Sequence, residues 1–333
     1  MRTRFLAGRE TGTGAQAALR RATLSVMKLI AAFLLAGTTC LLAAQSREAV
    51  NPFLGRWDFT IAPERANWLS VAAKDGALEI WFQPTGGNVY QVKDFKLAGT
   101  HLTLNLQRAG AKNPALIWEL DAAGDKLTGL QKRGETQIQL TGVRAPELKR
   151  TEPAAWTTPE ALFNGRDLTG WEPLDPANNH WSARSGELVN DSHGANLKTT
   201  RTFDDFKLHI EFNCPDDGNS GVYLRGRYEV QVEYEPLSKN PPERRIGSIY
   251  GFLTPAVDLP RKPGTWESFD ITLAGRTVTV LRNGVVIIDH QEIPGITGGA
   301  LDAHEAEPGP IFLQGDHTGG LRFRNILVSL PKP

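Results

Sequence analysis

From Phe53 to Val143, apolar and polar residues alternate in short runs with turn residues between them. The runs predict strands at Trp57–Ile61, Trp68–Lys74, Leu78–Gln83, Val89–Leu97, His101–Gln107, Leu116–Leu120, Lys126–Gln131 and Gln137–Thr141. Asp75-Gly76, Thr85-Gly86-Gly87-Asn88, Ala98-Gly99, Ala123-Gly124-Asp125 and Arg133-Gly134 punctuate them. Short antiparallel strands filling roughly 90 residues predict a small barrel-like β domain, at 50–145.

The second half is also strand-rich and has no long segment of helical period. Its runs are Glu187–Asn190, Phe206–Asn213, Gly221–Leu224, Tyr228–Tyr234, Ser268–Ala274, Thr277–Arg282, Val285–His290, Ile311–Gln314 and Leu321–Leu330. Asn283-Gly284 between two β-branched runs is a strong hairpin signal. The pattern predicts a β-sandwich over 162–333, joined to the first domain by a proline-rich linker at 146–161, with Trp156 as its contact with a domain. The fold class expected is all-β throughout.

Neighbouring strand residues face opposite ways, so each run divides into two faces. Tyr228, Val230, Val232 and Tyr234 share an apolar face, while Arg225, Arg227, Glu229, Gln231 and Glu233 share a polar one. Leu208, Ile210 and Phe212 likewise oppose Lys207, His209, Glu211 and Asn213. Such faces are either plainly solvated or a binding surface. The turns Asp217-Gly218-Asn219-Ser220-Gly221 and Gln314-Gly315-Asp316-His317-Thr318-Gly319-Gly320 would put further polar groups at the sheet rim, where function concentrates. A curved sheet with an open polar face suits sugars. Trp171, Trp181 and Trp266 are either core side chains or flat platforms for them.

The first 44 residues stand apart. Met27-Lys28 followed by the apolar run to Ala44 reads as a signal peptide at 27–44, and 1–26 as an upstream extension outside the natural start. The run is short of the ~20 apolar residues of a membrane span. Gly37-Thr38-Thr39 before Cys40 fits a lipoprotein signal poorly. The expected location is therefore periplasmic or extracellular. The 333 residues carry 37 basic and 37 acidic side chains, which argues against nucleic acid as a partner. Two cysteines, Cys40 and Cys214, build neither a disulfide framework nor a thiolate zinc site.

Gly55-Arg56-Trp57 resembles the Gly-x-Trp that opens lipocalin-like barrels. A more extensive resemblance lies in the second domain. Leu162-Phe163-Asn164-Gly165 through Gly170-Trp171, Phe203-Asp204-Asp205-Phe206, Glu211-Phe212, Gly218-Asn219-Ser220-Gly221-Val222-Tyr223-Leu224-Arg225, Tyr228-Glu229-Val230-Gln231, Gly264-Thr265-Trp266-Glu267, Asn283-Gly284-Val285, Pro310-Ile311-Phe312-Leu313-Gln314-Gly315-Asp316-His317 and Phe323-Arg324-Asn325-Ile326 occur in order. Over about 162–330 the chain resembles the 3-keto-disaccharide hydrolase family, whose activities are 3-keto-glucoside 1,2-lyase and 3-keto-2-hydroxyglucal hydratase. It departs from the family where Glu267 follows Trp266, and where Gly315 and Asp316 separate Gln314 from His317.

The resemblance implies a concanavalin A-like jelly roll acting on oxidised (3-keto) glucosides. A ketone at C3 acidifies the C2 proton, a base removes it, and the C1 substituent leaves by elimination. Hydration of the double bond follows. Such a site needs a base, a donor at the enolate oxygen and an acid for the leaving group. The catalytic candidates are Glu229 as base or acid and Arg225 or His317 at the enolate. Gln231, Asn219, Gln314, Glu233 and Trp266 are the substrate-binding candidates. A divalent metal is a possible cofactor, with Glu211 and His317 as candidate ligands. Glu229 and Glu233, four residues apart on one face, lie ~13 Å apart, too far for a retaining glycosidase pair. The alternative reading is a non-catalytic, lectin-like carbohydrate-binding module, since fold does not determine function.

Overall fold

The computed structural model describes residues 51–333, apart from 62–64, 109 and 111–112. The expectations for the leader and for Cys40 lie outside the described residues. Among those residues no helix is long and apolar enough to cross a membrane.

The chain is all-β, as expected. A nine-stranded antiparallel sheet occupies Gly55–Arg144, its strands paired in the order Tyr90–Val92, Ala77–Gln83, Arg65–Lys74, Gly55–Ile61, Thr136–Arg144, Lys126–Arg133, Leu116–Ala123, His101–Asn105, Phe95–Ala98. The run expected as one strand over Val89–Leu97 is two, Tyr90–Val92 and Phe95–Ala98, at opposite ends of that order. The chain turns a corner at Asp94, whose carbonyl accepts from Asn105 N (2.9 Å) and whose carboxylate accepts from Asn105 Nδ2 (2.7 Å). This brings the sheet edges together and nearly closes the barrel. Its core is aromatic. Trp118 meets Phe59 and Phe82 edge-on at 4.8 Å, and the fully buried Trp57 donates its indole N–H to Phe53 O.

The jelly-roll sandwich follows. One layer is an eight-stranded sheet that includes Phe206–Asn213, Trp266–Ala274, Thr277–Arg282 and Leu321–Ser329. The other layer has five strands, in the order Trp171–Pro173, Leu197–Thr199, Phe312–Leu313, Asn219–Leu224, Tyr228–Glu233. Leu208, Ile210 and Phe212 from the first layer and Val222, Val230, Val232 and Leu313 from the second are buried in one cluster. At about 25 cal/mol per Å² of apolar surface, this contact is the main stabilising term of the sandwich. Cys214 is a small buried member of that core, and burial pushes its thiol pKa up. The Asn283-Gly284 hairpin forms as predicted, with Arg282 opposite Val285.

The segment expected as a linker is extended along the sandwich. Pro146 O and Glu147 O accept from Arg276, Trp156 bridges Pro331, and Glu160–Ala161 pairs with the last strand. The nine-stranded sheet also packs directly on the sandwich. Ala66 and Trp68 are part of the sandwich core, and Trp68 meets Phe252 edge-on at 5.5 Å. Gly295 is required beneath that indole, because a Cβ there would lie 2.4 Å from the ring. Arg56 pairs with Glu292 (2.6 Å), and Gly86 N donates to Gly298 O (2.7 Å).

Candidate functional site

The site is built on the hairpin of Asn219–Leu224 and Tyr228–Glu233. Register places Tyr223 opposite Glu229 and Gly221 opposite Gln231. Val222 and Val230 point into the core, so by alternation Gly221, Tyr223, Glu229 and Gln231 share the other face. The Tyr223 hydroxyl donates to Glu229 Oε2 at 2.7 Å. With its amide oriented by its neighbours, Gln231 donates to Glu229 Oε1 and to Ser220 O, both at 3.0 Å. Gly221 makes room for the carboxylate: a Cβ at 221 would lie 2.3 Å from Glu229 Oε1.

The polar face predicted from alternation is present, but it is not open. Glu229 is 3% exposed and Gln231 2%. Sequence alternation gives the side of a strand, not what covers it. Here the 297–309 segment closes over the face: Thr297 Oγ1 accepts from Glu229 N, and a Cβ at Gly299 would lie 2.1 Å from the Tyr223 hydroxyl. Phe312 stacks on Tyr223 with centroids 4.0 Å apart.

Burial dominates the electrostatics. Desolvation raises the Glu229 pKa to about 8, aided by the Asp316 charge and opposed by the Tyr223 hydrogen bond. Tyr223 is held well above its ordinary value, first by burial and then by Glu229. Tyr250, half-buried, is also raised by burial and by Glu229, and the Arg244 charge opposes that rise. The Tyr250 amide donates to Glu229 O at 3.0 Å. A carboxyl group poised near neutral pH, with two donors on its oxygens and the Tyr250 phenol nearby, can take up and return a proton.

The other candidates are distributed as follows. Gln314 joins the face: its amide N donates to Gly221 O, and its side-chain Oε1 is buried without a hydrogen-bond partner. Asn219 lies at the rim, where its Nδ2 donates to Glu235 and its amide N donates to Thr318 Oγ1. His317 is exposed on the following loop, and its carbonyl lies 3.1 Å from His193 Nδ1. Glu233 is fully buried in an ion pair with Arg261 (3.0 Å) and accepts from Ile246 N. It is held as a structural charge.

Three candidates lie elsewhere. Arg225 sits in the hairpin turn at φ 53°, beside Gly226 at φ 68°. Its side chain is completely buried, with Nη atoms directed to the carbonyls of Gly275, Glu305 and Glu307. It shares none of these partners with Glu229. Trp266 and Glu211 belong to the eight-stranded layer. Trp266 packs under the guanidinium groups of Arg322 and Arg324, at 5.3 and 3.9 Å. Glu211 is taken by Arg324 (2.6 Å) and Asn325 (2.7 Å) on the outer face of that layer. Alternation could not reveal which layer each strand joins.

No group of three or more His, Cys, Asp or Glu side chains able to hold a metal occurs among the described residues. Glu211 and His317 in particular are not gathered into one, because Glu211 is engaged by Arg324 and Asn325. The residues that the sequence reading missed are Tyr223, Tyr250, Asp316 and Arg244. Tyr223 was accessible to it, since it stands two residues from Gly221 in the same alternation.

Comparison with known proteins finds similarity over the second half of the chain. A protein from Parabacteroides distasonis ATCC 8503, provisionally named a glycosyl hydrolase, is 33% identical over 51% of this chain and 82% of its own, with a TM-score of 0.44. A second from the same organism and with the same provisional name is 19% identical over 52% of this chain and 92% of its own, with a TM-score of 0.44. A carbohydrate binding module, CBM66, from Bacillus subtilis is 12% identical over 48% and 96%, with a TM-score of 0.32. No curated protein matches the chain. The model of the 3-keto-alpha-glucoside-1,2-lyase-like domain matches residues 158–329, just over half of the chain and the whole of the Glu229 hairpin, and the chain belongs to that family.

Proposed function

We propose that the protein cleaves 3-keto-glucosides, with Glu229 as the proton-transferring group. The observation that carries this reading is the Glu229 carboxyl, buried on the polar sheet face, held by Tyr223 and Gln231, and raised to about 8. In its ionised form it takes the proton from C2, whose acidity comes from the C3 ketone. The C2–H electrons form the enolate, with the negative charge on the ketone oxygen. Tyr250, the phenol coupled to Glu229, is suited to hold that charge. As the enolate collapses, the C1–O bond breaks and the C1=C2 double bond forms. The Glu229 carboxylic acid returns its proton to the departing oxygen. Water then adds its oxygen at C1 and a proton at C2, giving 3-keto-glucose. Gln314, whose Oε1 has no partner within the protein, accepts from a sugar hydroxyl, while Gln231 holds Glu229 in place.

Export, expected from the leader, would bring the protein to glycosides outside the cytoplasm. The test is to incubate the purified chain with 3-keto-trehalose or 3-keto-sucrose and to follow 3-keto-glucose release, beside Glu229→Gln. Release by the wild type and its loss in the variant, with binding retained, is the expected result. Glycan binding without release by the wild type would establish a binding module instead.

A further inference from the structure

A cleft of about 840 Å³ lies between the nine-stranded sheet and the sandwich. That is within the ~300–1,000 Å³ of small-molecule sites. One wall is Asn88, Tyr90, Gln91 and Arg108 from the sheet, and the other is Glu243 and Arg244 from the sandwich. Arg108 lies over the Tyr90 ring at 5.1 Å and reaches Asn88 O at 3.3 Å. Asn88 Oδ1 is buried without a hydrogen-bond partner. An orphaned acceptor of this kind is costly unless a ligand or water donates to it.

The cleft borders the Glu229 site through the Tyr250-Gly251 backbone. Glu243, which lines the cleft, accepts from Gly251 N at 2.7 Å, and the amide of the preceding Tyr250 donates to Glu229 O at 3.0 Å. The same sheet loop is fixed against the cover of the site: Gly86 N donates to Gly298 O, and Gly299 lies against the Tyr223 hydroxyl. The lining mixes donors, acceptors and an aromatic ring, with Arg108 and Arg244 set against Glu243 and with Lys93 and Asp94 beside them. Such near-balanced charge suits neither a phosphate nor a polyanion. It suits a neutral, hydroxyl-rich ring.

We propose that this cleft is the subsite for the leaving group, where the nine-stranded sheet binds a second, neutral glycosyl unit attached at C1 of the sugar held by Glu229. Asn88 Oδ1 takes a hydroxyl proton, the Arg108 and Arg244 guanidiniums donate to hydroxyl oxygens, and Tyr90 offers an apolar wall. The assignment rests on the reading of Glu229 as the reacting carboxylate. It makes the N-terminal sheet the part of the chain that selects disaccharides over simple glucosides.

The test compares 3-keto-trehalose with methyl 3-keto-glucoside, which lacks the second ring, in the wild type, Arg108→Ala and Glu243→Gln. The ratio of kcat/KM for the disaccharide to that for the methyl glycoside is expected to fall about tenfold in Arg108→Ala and severalfold in Glu243→Gln. Two variants on opposite walls guard against one failing to fold. An unchanged ratio in folded variants would overturn the subsite. Saturation-transfer NMR with 3-keto-trehalose provides a reading that needs no turnover. Contacts are expected at both rings in the wild type, and at the second ring they are lost in Arg108→Ala. If the wild type releases no product yet shows this pattern, the lyase reading fails and the cleft stands. Contacts at the first ring alone, or none, overturn the cleft.

Discussion

The carboxyl of Asp58, on the first strand of the nine-stranded sheet, is buried beside the carboxyl of Glu305 in the sandwich. Glu305 also accepts from Tyr228 and from Arg276, whose Nη1 is 3.3 Å away. Burial, and then the Glu305 charge, raise the Asp58 pKa to about 9, so Asp58 carries the proton.

That proton couples stability to pH. Unfolded Asp58 would release it near 3.8, whereas the folded chain keeps it to about 9. The contribution is therefore full below about pH 4 and lost as pH rises toward 9. Asn at this position keeps the side chain's shape and does not titrate. From pH 5 to 9 the wild-type melting temperature should fall more than that of Asp58→Asn, by about 3 °C or more. Parallel curves would show that the pair does not titrate in this range.

Glu229 gives the opposite pH sign, in activity. Its ionised form is the base, so kcat/KM on a 3-keto-glucoside should rise with pH through about 8. Glu229→Gln should lose about 10²–10⁴-fold in turnover. A rising limb near pH 4.5, the ordinary glutamate value, would place the base elsewhere.

Gly221→Ala tests the fit of that carboxylate. The added methyl would lie 2.3 Å from Glu229 Oε1, so carboxylate or strand must move. Overpacking of this kind costs about 1–3 kcal/mol. Activity is expected to fall at least ~100-fold, as for a misplaced reacting group. Wild-type turnover in the variant would show that Glu229 need not keep its position.

Arg261→Ala separates structural charge from substrate contact. It strands Glu233, which is fully buried, and breaking such a pair costs about 3–5 kcal/mol. Thermal unfolding should report that loss. An unchanged melting temperature together with weaker sugar binding would return Glu233 to the binding residues.

Much of the fold was legible because alternation is a local property. The runs Glu187–Asn190, Phe206–Asn213 and Thr277–Arg282 and the Asn283-Gly284 turn appear in the structure as read. The short strands Trp171–Pro173 and Leu197–Thr199 carried too few residues for a period to show. At the site, spacing put Glu229 and Gln231 on one face, whereas Gln314 was read in a rim turn and became a candidate through the family resemblance. Glu211 and Trp266 were drawn toward them because a single strand does not record which layer it joins, and Arg225 because the alternation of Tyr228–Glu233 was carried back into a turn, where φ 53° ends it. The cover over Glu229 was invisible for a related reason. It is irregular chain, 297–309, contributed from far along the sequence and held by contacts such as Thr297 with Glu229 N.

Trp68 carries a consequence for how this protein could be recombined. Its indole belongs to the nine-stranded sheet in sequence and to the sandwich core in space. The family match begins at residue 158. A crossover placed there would graft a sandwich with a tryptophan-sized dent floored by Gly295 and edged by Phe252, open to water and to other chains. The smallest piece that can be shuffled whole is therefore longer than the piece by which its relatives are recognised.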